Sequence, residues 1–415
     1  MLSLTVACTA EEEVAPATDY QEVIPLNQAT MDRADNLYEL AKENYSSNVE
    51  NAHFYANELL ILSQNSGYKN GLGNAHQALG IVHNQKRNYK KALEHSLAAT
   101  AIKDMLGQDE DLSKLYNNIA FIYFKNESYD KAIDYYQRSL DLKVSSGVDQ
   151  TSVGNTIRNY ALTLQQQGKY EESLAKYEEA LAAYQEVGSE SKIARIYNNM
   201  GYLYMEMGQF DKADVIYRKS IDIRQGIEDD MGLAKTLTNM SGLYIKTGKL
   251  DEALAMIEES KQIQDQLRLP DIYGETLLKF GEIYSLKGEY NKAVTYLQNG
   301  ESVLMKMGNS QDLVIVYELL SECNHALGDN SKATYYNSLA NKLVKDIEHN
   351  QQVSLNLKRE EIALAEASFE DFQDQLVISS LISQCNNNVM SFLALAFLLF
   401  SVVFGYSIMY LWKVN

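Results

Sequence analysis

The chain has 415 residues and a formal net charge of −19, with 46% hydrophobic and 22% charged residues, the balance of a folded protein. Such an acidic chain repels a phosphate backbone, so DNA and RNA are excluded as ligands. Three scattered cysteines exclude a disulfide framework and a short-spaced metal set, and three prolines leave helices almost uninterrupted.

The first segment, residues 1–30, reads as a leader. A short apolar run ends at Thr5, Val6 and Ala7 before Cys8, and the acidic, unstructured stretch EEEVAPATD follows. This pattern resembles the tail of a bacterial lipoprotein signal, in which the cysteine becomes the lipidated first residue; that implies lipidation at Cys8. Thr5 stands where leucine is usual and no basic region precedes it, which fits a truncated start, and an ordinary disordered leader is the alternative.

Residues 31–345 repeat. The small residues Gly80, Ala120, Ala161, Gly201, Ser241, Gly281 and Ser321 recur at spacings of 40, 41, 40, 40, 40 and 40. Twelve residues after each stands another small one: Ala92, Ala132, Ser173, Ala213, Ala253, Ala293 and Ala333. Two small faces at that offset let the helices of a hairpin cross closely, and rings such as Tyr123, Tyr204, Tyr244 and Tyr284, three residues after an anchor, fill the space around them. Gly168, Gly208, Gly248, Gly288 and Gly328 end the first helix of a unit, and Arg87 and Glu127 depart from that rule. An eighth, weaker unit precedes these, with Leu40 and Ala52 in the two small-site positions. No metal or cofactor is expected: His76 and His83 share a helix face, but no carboxylate or cysteine completes a ligand set.

Small residue, aromatic, turn glycine and alanine at these offsets resemble the tetratricopeptide repeat, in its long, about 40-residue subclass, as in kinesin light chains and bacterial peptide-responsive regulators. The resemblance implies an all-α fold, a right-handed superhelical solenoid of seven to eight hairpins with a concave groove. It also implies that residues six, three and two before each anchor face a ligand. Those positions are Lys114, Asn117 and Asn118; Asn155, Arg158 and Asn159; Arg195, Asn198 and Asn199; and Lys235, Thr238 and Asn239. Four are basic, seven are asparagine and none is acidic, where overall composition supplies about one basic residue in twelve. Asparagine donates and accepts, so such a ladder suits the backbone of an extended peptide, and the interleaved cations favour acidic side chains or a terminal carboxylate. The alternative is that Asn118, Asn159, Asn199 and Asn239 only bond neighbouring helices. In the last two units the same offsets give Glu275, Leu278, Lys279, Ile315, Glu318 and Leu319, which break the ladder.

Residues 346–385 form a juxtamembrane helix. Leu355, Lys358, Ile362, Ala365, Phe369, Phe372 and Leu376 alternate spacings of three and four, as a heptad seam does. A stalk packed on its own solenoid and a dimeric coiled coil, giving a homodimer, fit equally. Residues 389–412 then read as a transmembrane helix. Met390 to Leu411 are 22 residues without a charge, a rise of roughly 33 Å, with Trp412 and Lys413 at the end and a small-residue pair at Ser401 and Gly405. The lysine places the C-terminus in the cytoplasm and the repeats outside it, on a single-pass inner-membrane protein bound to the lipid bilayer through this helix.

No phosphate loop, nucleophile elbow or metal spacing is present, so catalysis is not expected. The leading reading is a membrane-tethered scaffold that takes a protein or extended, acidic peptide in its groove. The alternative is an extracytoplasmic sensor, because the order of segments resembles the sensor halves of bacterial histidine kinases and related regulators. Only Lys413, Val414 and Asn415 follow the span, so an output would come from a partner or a further domain.

Overall fold

The computed structural model describes the backbone of residues 24–268 and 270–414 and the side chains of 24–268 and 273–377. Among them are sixteen helices and no strand. Eight hairpins follow one another. They pair α1 (Gln28–Asn44) with α2 (Val49–Ser66), α3 (Lys69–Gln85) with α4 (Tyr89–Met105), α5 (Asp109–Lys125) with α6 (Tyr129–Ser145), and α7 (Gln150–Gln166) with α8 (Tyr170–Glu186). The series continues with α9 (Glu190–Glu206) and α10 (Phe210–Gly226), α11 (Asp230–Lys246) and α12 (Leu250–Leu267), α13 (Pro270–Leu286) and α14 (Tyr290–Met307), and α15 (Ser310–Ala326) with the start of α16 (Asn330–Val414). Helices of 17 or 18 residues, two to a unit with short turns, account for the forty-residue period.

The two small sites of each unit meet as their offset predicts. Ala120, Ala132, Ala161 and Ala253 are fully buried, and the contact is visible atom by atom where a serine takes part. Ser173 Oγ donates to the Ala161 carbonyl at 2.7 Å, and Ser321 Oγ to the Ala333 carbonyl at 2.8 Å. At Gly201 a Cβ would stand 2.7 Å from the Tyr217 ring, so the crossing there admits glycine alone without rearrangement. Three of the five fully buried tyrosines, Tyr136, Tyr177 and Tyr217, lie sixteen residues after the anchors among the described residues, a register the sequence pattern did not single out. Burying each such ring contributes on the order of 1.5–3 kcal/mol.

The turns within the second to eighth hairpins are each left-handed at one residue, and the first hairpin turns without one. Glycine fills that place in most units, but Arg87 (φ 57°) and Glu127 (φ 62°) adopt the same conformation with a side chain. Their departure from the glycine rule is thus a change of residue and not of turn, at a cost of about 1–2 kcal/mol each.

Successive odd-numbered helices approach one another, α1 to α3, α5 to α7, α9 to α11 and α11 to α13, whereas successive even-numbered helices make no comparable approach. The odd-numbered helices therefore line the inner, more crowded side of the curve.

The last helix leaves its own hairpin and returns to the other end of the array. Beyond residue 345, α16 continues through a solvent-exposed stretch and then lies along α4. Ile362 and Ala365 are buried there in one cluster with Leu93, Leu97 and Tyr123, and Phe369 packs at its edge. Phe372 reaches the His76 ring with centroids 5.8 Å apart, and Leu376 lies beside Ile102 and Met105. The heptad seam thus packs on its own solenoid. Among the described residues no helix is long and apolar enough to cross a membrane. The stretch 389–412 read as a span lies outside the residues whose side chains are described, with Cys385, Ser401 and Gly405, and Cys8 lies outside the described residues altogether.

Candidate peptide-binding face

Helical periodicity puts residues six, three and two before an anchor on one stripe, and the inner helices carry that stripe. Lys114, Asn117 and Asn118 are on α5; Asn155, Arg158 and Asn159 on α7; Arg195, Asn198 and Asn199 on α9; Lys235, Thr238 and Asn239 on α11. Interaxial distances of about 8–10 Å between adjacent helices make the four-helix stripe roughly 30 Å wide, the length of about nine extended residues.

The amides and the cations of this stripe divide. Most of the amides hold neighbouring helices. Asn239 Nδ2 donates to Asn198 Oδ1 at 3.0 Å between α11 and α9, and Asn117 Oδ1 accepts from Thr156 Oγ1 at 3.2 Å between α5 and α7. Asn155 Oδ1 accepts from the Tyr184 hydroxyl at 2.9 Å, and Asn199 Nδ2 donates to the Tyr177 hydroxyl at 3.4 Å. Thr238 is buried and bonds the Ala234 carbonyl. Within the described residues Asn118 alone among the ladder asparagines has no side-chain hydrogen bond, and the other amides keep a second donor and an acceptor lone pair uncommitted, which is the capacity an extended backbone uses.

The cations are less committed. Arg195 and Lys235 are exposed and form no ion pair or hydrogen bond within the described residues. Arg158, half-buried, donates only to its neighbour Asn159 Oδ1, at 2.8 Å. Its charge also partly offsets the burial that raises the Tyr136, Tyr177 and Tyr184 hydroxyls above their ordinary range. Lys114 pairs with Glu110 at 2.6 Å on the surface of α5, an i,i+4 pair that gives about 0.3–0.5 kcal/mol and is readily exchanged for another anion. The face therefore holds three cations available to a ligand and one weakly held. In the last two hairpins Leu278 is buried in the core and Lys279 pairs with Glu282 at 2.9 Å, so the stripe ends at α11.

A second series escaped the sequence pattern. Twenty-three residues after each anchor, near the end of the outer helix, stand Lys103, Lys143, Tyr184, Arg224, Gln264 and Leu304. The first five reach the first turns of the next inner helix, Tyr184 through Lys192 over its ring, and Leu304 packs over Gly274 of its own inner helix. Lys103 is 1% exposed, and its ammonium donates to Asn74 at 2.6 Å, Gln108 at 2.7 Å, Asp111 at 3.0 Å and Asn70 at 3.1 Å. Lys143 donates to Thr156 Oγ1 at 2.8 Å and Ser152 Oγ at 2.9 Å, and burial pulls it down to about 8. Arg224 pairs with Asp229, and Gln264 Nε2 donates to Thr276 Oγ1 at 2.8 Å. Five residue types fill these six positions, so no single-letter pattern marks the place.

The histidines gather in the second hairpin and its edge. His76 Nδ1 and His95 Nδ1 are 3.0 Å apart, His83 stacks on His95, and His53 meets His83 edge-on. Among the described residues no group of three or more such side chains is arranged to hold a metal.

Inner helices bearing a polar stripe and outer helices buttressing them make a tetratricopeptide-type helical solenoid. The tetratricopeptide repeat family model matches residues 111–186, 192–266 and 232–306. A curated relative, kinesin light chain-related protein 3 of Arabidopsis thaliana, is 26% identical over 117 residues, which is 28% of this chain and 18% of that protein. The chain thus spans under a fifth of the relative's length. Among solved structures, the apo quorum sensor NprR of B. thuringiensis superposes with a TM-score of 0.62 at 19% identity, over 77% of this chain and 89% of that one. Apo RapI gives 0.57 at 16%, over 67% and 99%. A Rap protein in complex with competence and sporulation factor gives 0.50 at 14%, over 78% and 99%. At these identities the likeness is one of fold.

Proposed function

We propose that the chain is a binding scaffold without catalytic activity, whose inner face between Lys114 and Asn239 takes an extended, acidic peptide or protein terminus. The observation that carries this reading is the division of the stripe. Its amides brace the solenoid and keep spare donors, while within the described residues Arg158, Arg195 and Lys235 stand without a partner carboxylate, on a protein of net charge −19. Uncommitted cations clustered on one face of an acidic chain make a local positive patch that steers and orients an anionic ligand. The likeness in fold to a quorum sensor and to a factor-bound Rap protein supports a peptide ligand and keeps the sensor reading as the second proposal.

The proposal extends to a tether, with residues 389–412 spanning the inner membrane and the repeats outside the cytoplasm. The apolar sequence supports it. Protease protection in intact and ruptured cells tests it: digestion of the repeats only after inner-membrane rupture would place them in the cytoplasm and end the reading.

For the groove, fluorescence anisotropy with labelled nine-residue peptides, acidic against lysine-substituted, measures binding and sign preference. The double charge reversal Arg158→Glu with Arg195→Glu is expected to weaken the acidic peptide at least tenfold, since charge-assisted hydrogen bonds contribute about 1.5–3 kcal/mol each. Unchanged affinity in a double variant with wild-type helicity would sink the proposal.

A further inference from the structure

We propose that the second and third hairpins form a helix-binding site, separate from the inner face, which the chain fills with its own residues 358–376 and which an amphipathic helix of another protein takes by displacing them. The docked segment shows the chemistry of the site. It enters at the turn between α5 and α6, where Lys358 Nζ lies 2.7 Å from Glu127, and runs in the direction of α4 to Met105 at that helix's end. One turn in, Ile362 and Ala365 are buried against Leu93 and Leu97. Beside them Glu366 accepts from the Tyr123 hydroxyl at 2.6 Å and pairs with Lys131 at 2.6 Å. Lys131 also lies over the Tyr123 ring, 5.5 Å from its centroid, so ring, hydroxyl and ammonium form one receptor for a carboxylate. Phe369, Phe372 and Leu376 continue the apolar row at helical spacing.

This is the helix-in-groove mode, in which apolar residues at i, i+3, i+4 and i+7 give affinity and a placed ion pair gives register. The site selects a helix with a cation near its start, an aliphatic residue one turn later, a carboxylate at its centre and aromatics beyond.

Two features make the occupant exchangeable. Only Ile362 and Ala365 of the docked segment are deeply buried, and the ion pairs at its start and centre are partly exposed and individually weak. The segment is also joined to its own hairpin by a solvent-facing stretch, from Glu348 to Leu357, that packs on little. Its release therefore undoes no other core. It is held by tethering, which supplies a high effective concentration, and a competitor must exceed that advantage.

The site does not depend on the peptide reading of the inner face. Its test uses the full chain in detergent and a fluorescein-labelled helix of residues 355–376. The wild-type chain is expected to bind the probe at least tenfold more weakly than the variant Ile362→Asp with Phe369→Asp, whose own segment is released. Adding Lys131→Glu to that variant is expected to cost a further tenfold, and a probe carrying Glu366→Lys to recover it. Helical circular dichroism establishes that each variant is folded. Equal probe affinity for the wild-type and released chains, or indifference to Lys131→Glu, overturns the proposal. So does sedimentation of the wild-type chain as a dimer that the released variant no longer forms, because the seam would then be filled by a second copy.

Discussion

The second and seventh hairpins share a backbone and differ in what fills the junction to the next unit. At the end of α4 the residue is Lys103, fully buried and surrounded by Asn70, Asn74, Gln108 and Asp111; at the end of α14 it is Leu304, 1% exposed and packed over Gly274. Between them the series passes through lysine, tyrosine, arginine and glutamine. A repeat fold tolerates either solution at one place because each junction is a local contract between neighbours. The two differ in what substitution does. A buried ion is worth little net when intact and is costly when half removed, while an aliphatic side chain loses free energy in proportion to the volume lost.

The largest effect is expected at the charged junction. Lys103→Ala should lower stability by about 3–5 kcal/mol, and Lys103→Met should keep most of that loss, because the Asn74 and Gln108 oxygens stay buried without a donor. Leu304→Ala should cost about 2–5 kcal/mol but Leu304→Met less than about 1.5. Urea unfolding of the four variants measures this; a mild Lys103→Met would erase the distinction between the junctions.

Acid sharpens the contrast further. Burial, then the neighbouring His53, Lys91 and Lys86, lowers His83 to about 4; burial lowers His76 to about 4 and is the largest cause lowering His95 to about 3. In the unfolded chain they titrate near about 6.5. Above that value both states are neutral and stability is independent of these groups. As pH falls from about 6.5 toward 4 the unfolded state binds protons that the fold refuses, so stability drops, and the slope ends once the folded histidines are protonated. The C-terminal hairpins carry only the exposed His325 and His349. Hydrogen exchange at pH 7 and pH 5 should therefore show α3 and α4 losing protection before α13 to α15. Uniform loss would remove the histidines as the cause.

The smallest effect belongs to the turns. Arg87 is exposed and left-handed, so Arg87→Gly should raise the melting temperature slightly, by a gain of about 1 kcal/mol. Glu127→Gly should gain less, since it gives up the pair with Lys358.

Much of the architecture was legible because a repeat states its contacts several times. The small anchors, their partners twelve residues on and the turn glycines all specify the hairpin, and the alternation of three and four located the seam of α16. What the seam packs on was not legible: a heptad row names a face, and its partner on α4 lies some 270 residues earlier, outside any local period. The junction series stayed hidden because position, and not residue type, is what repeats there. The ladder was half legible. Its composition marked Lys114, Arg158, Arg195 and Lys235, but only the geometry separates those cations from Asn198, Asn199 and Asn239, which are engaged in bracing α9 and α11.

A superhelix of stacked hairpins is a spring, and its softest motion is a change of pitch spread over every junction. By running from the eighth hairpin back to α4, α16 straps the last unit of that spring to its second. Pulling on the far end of α16 would load the row from Lys358 to Leu376 in shear along α4, so that its contacts yield together and not one after another. The array would stay stiff up to that force and lengthen only beyond it.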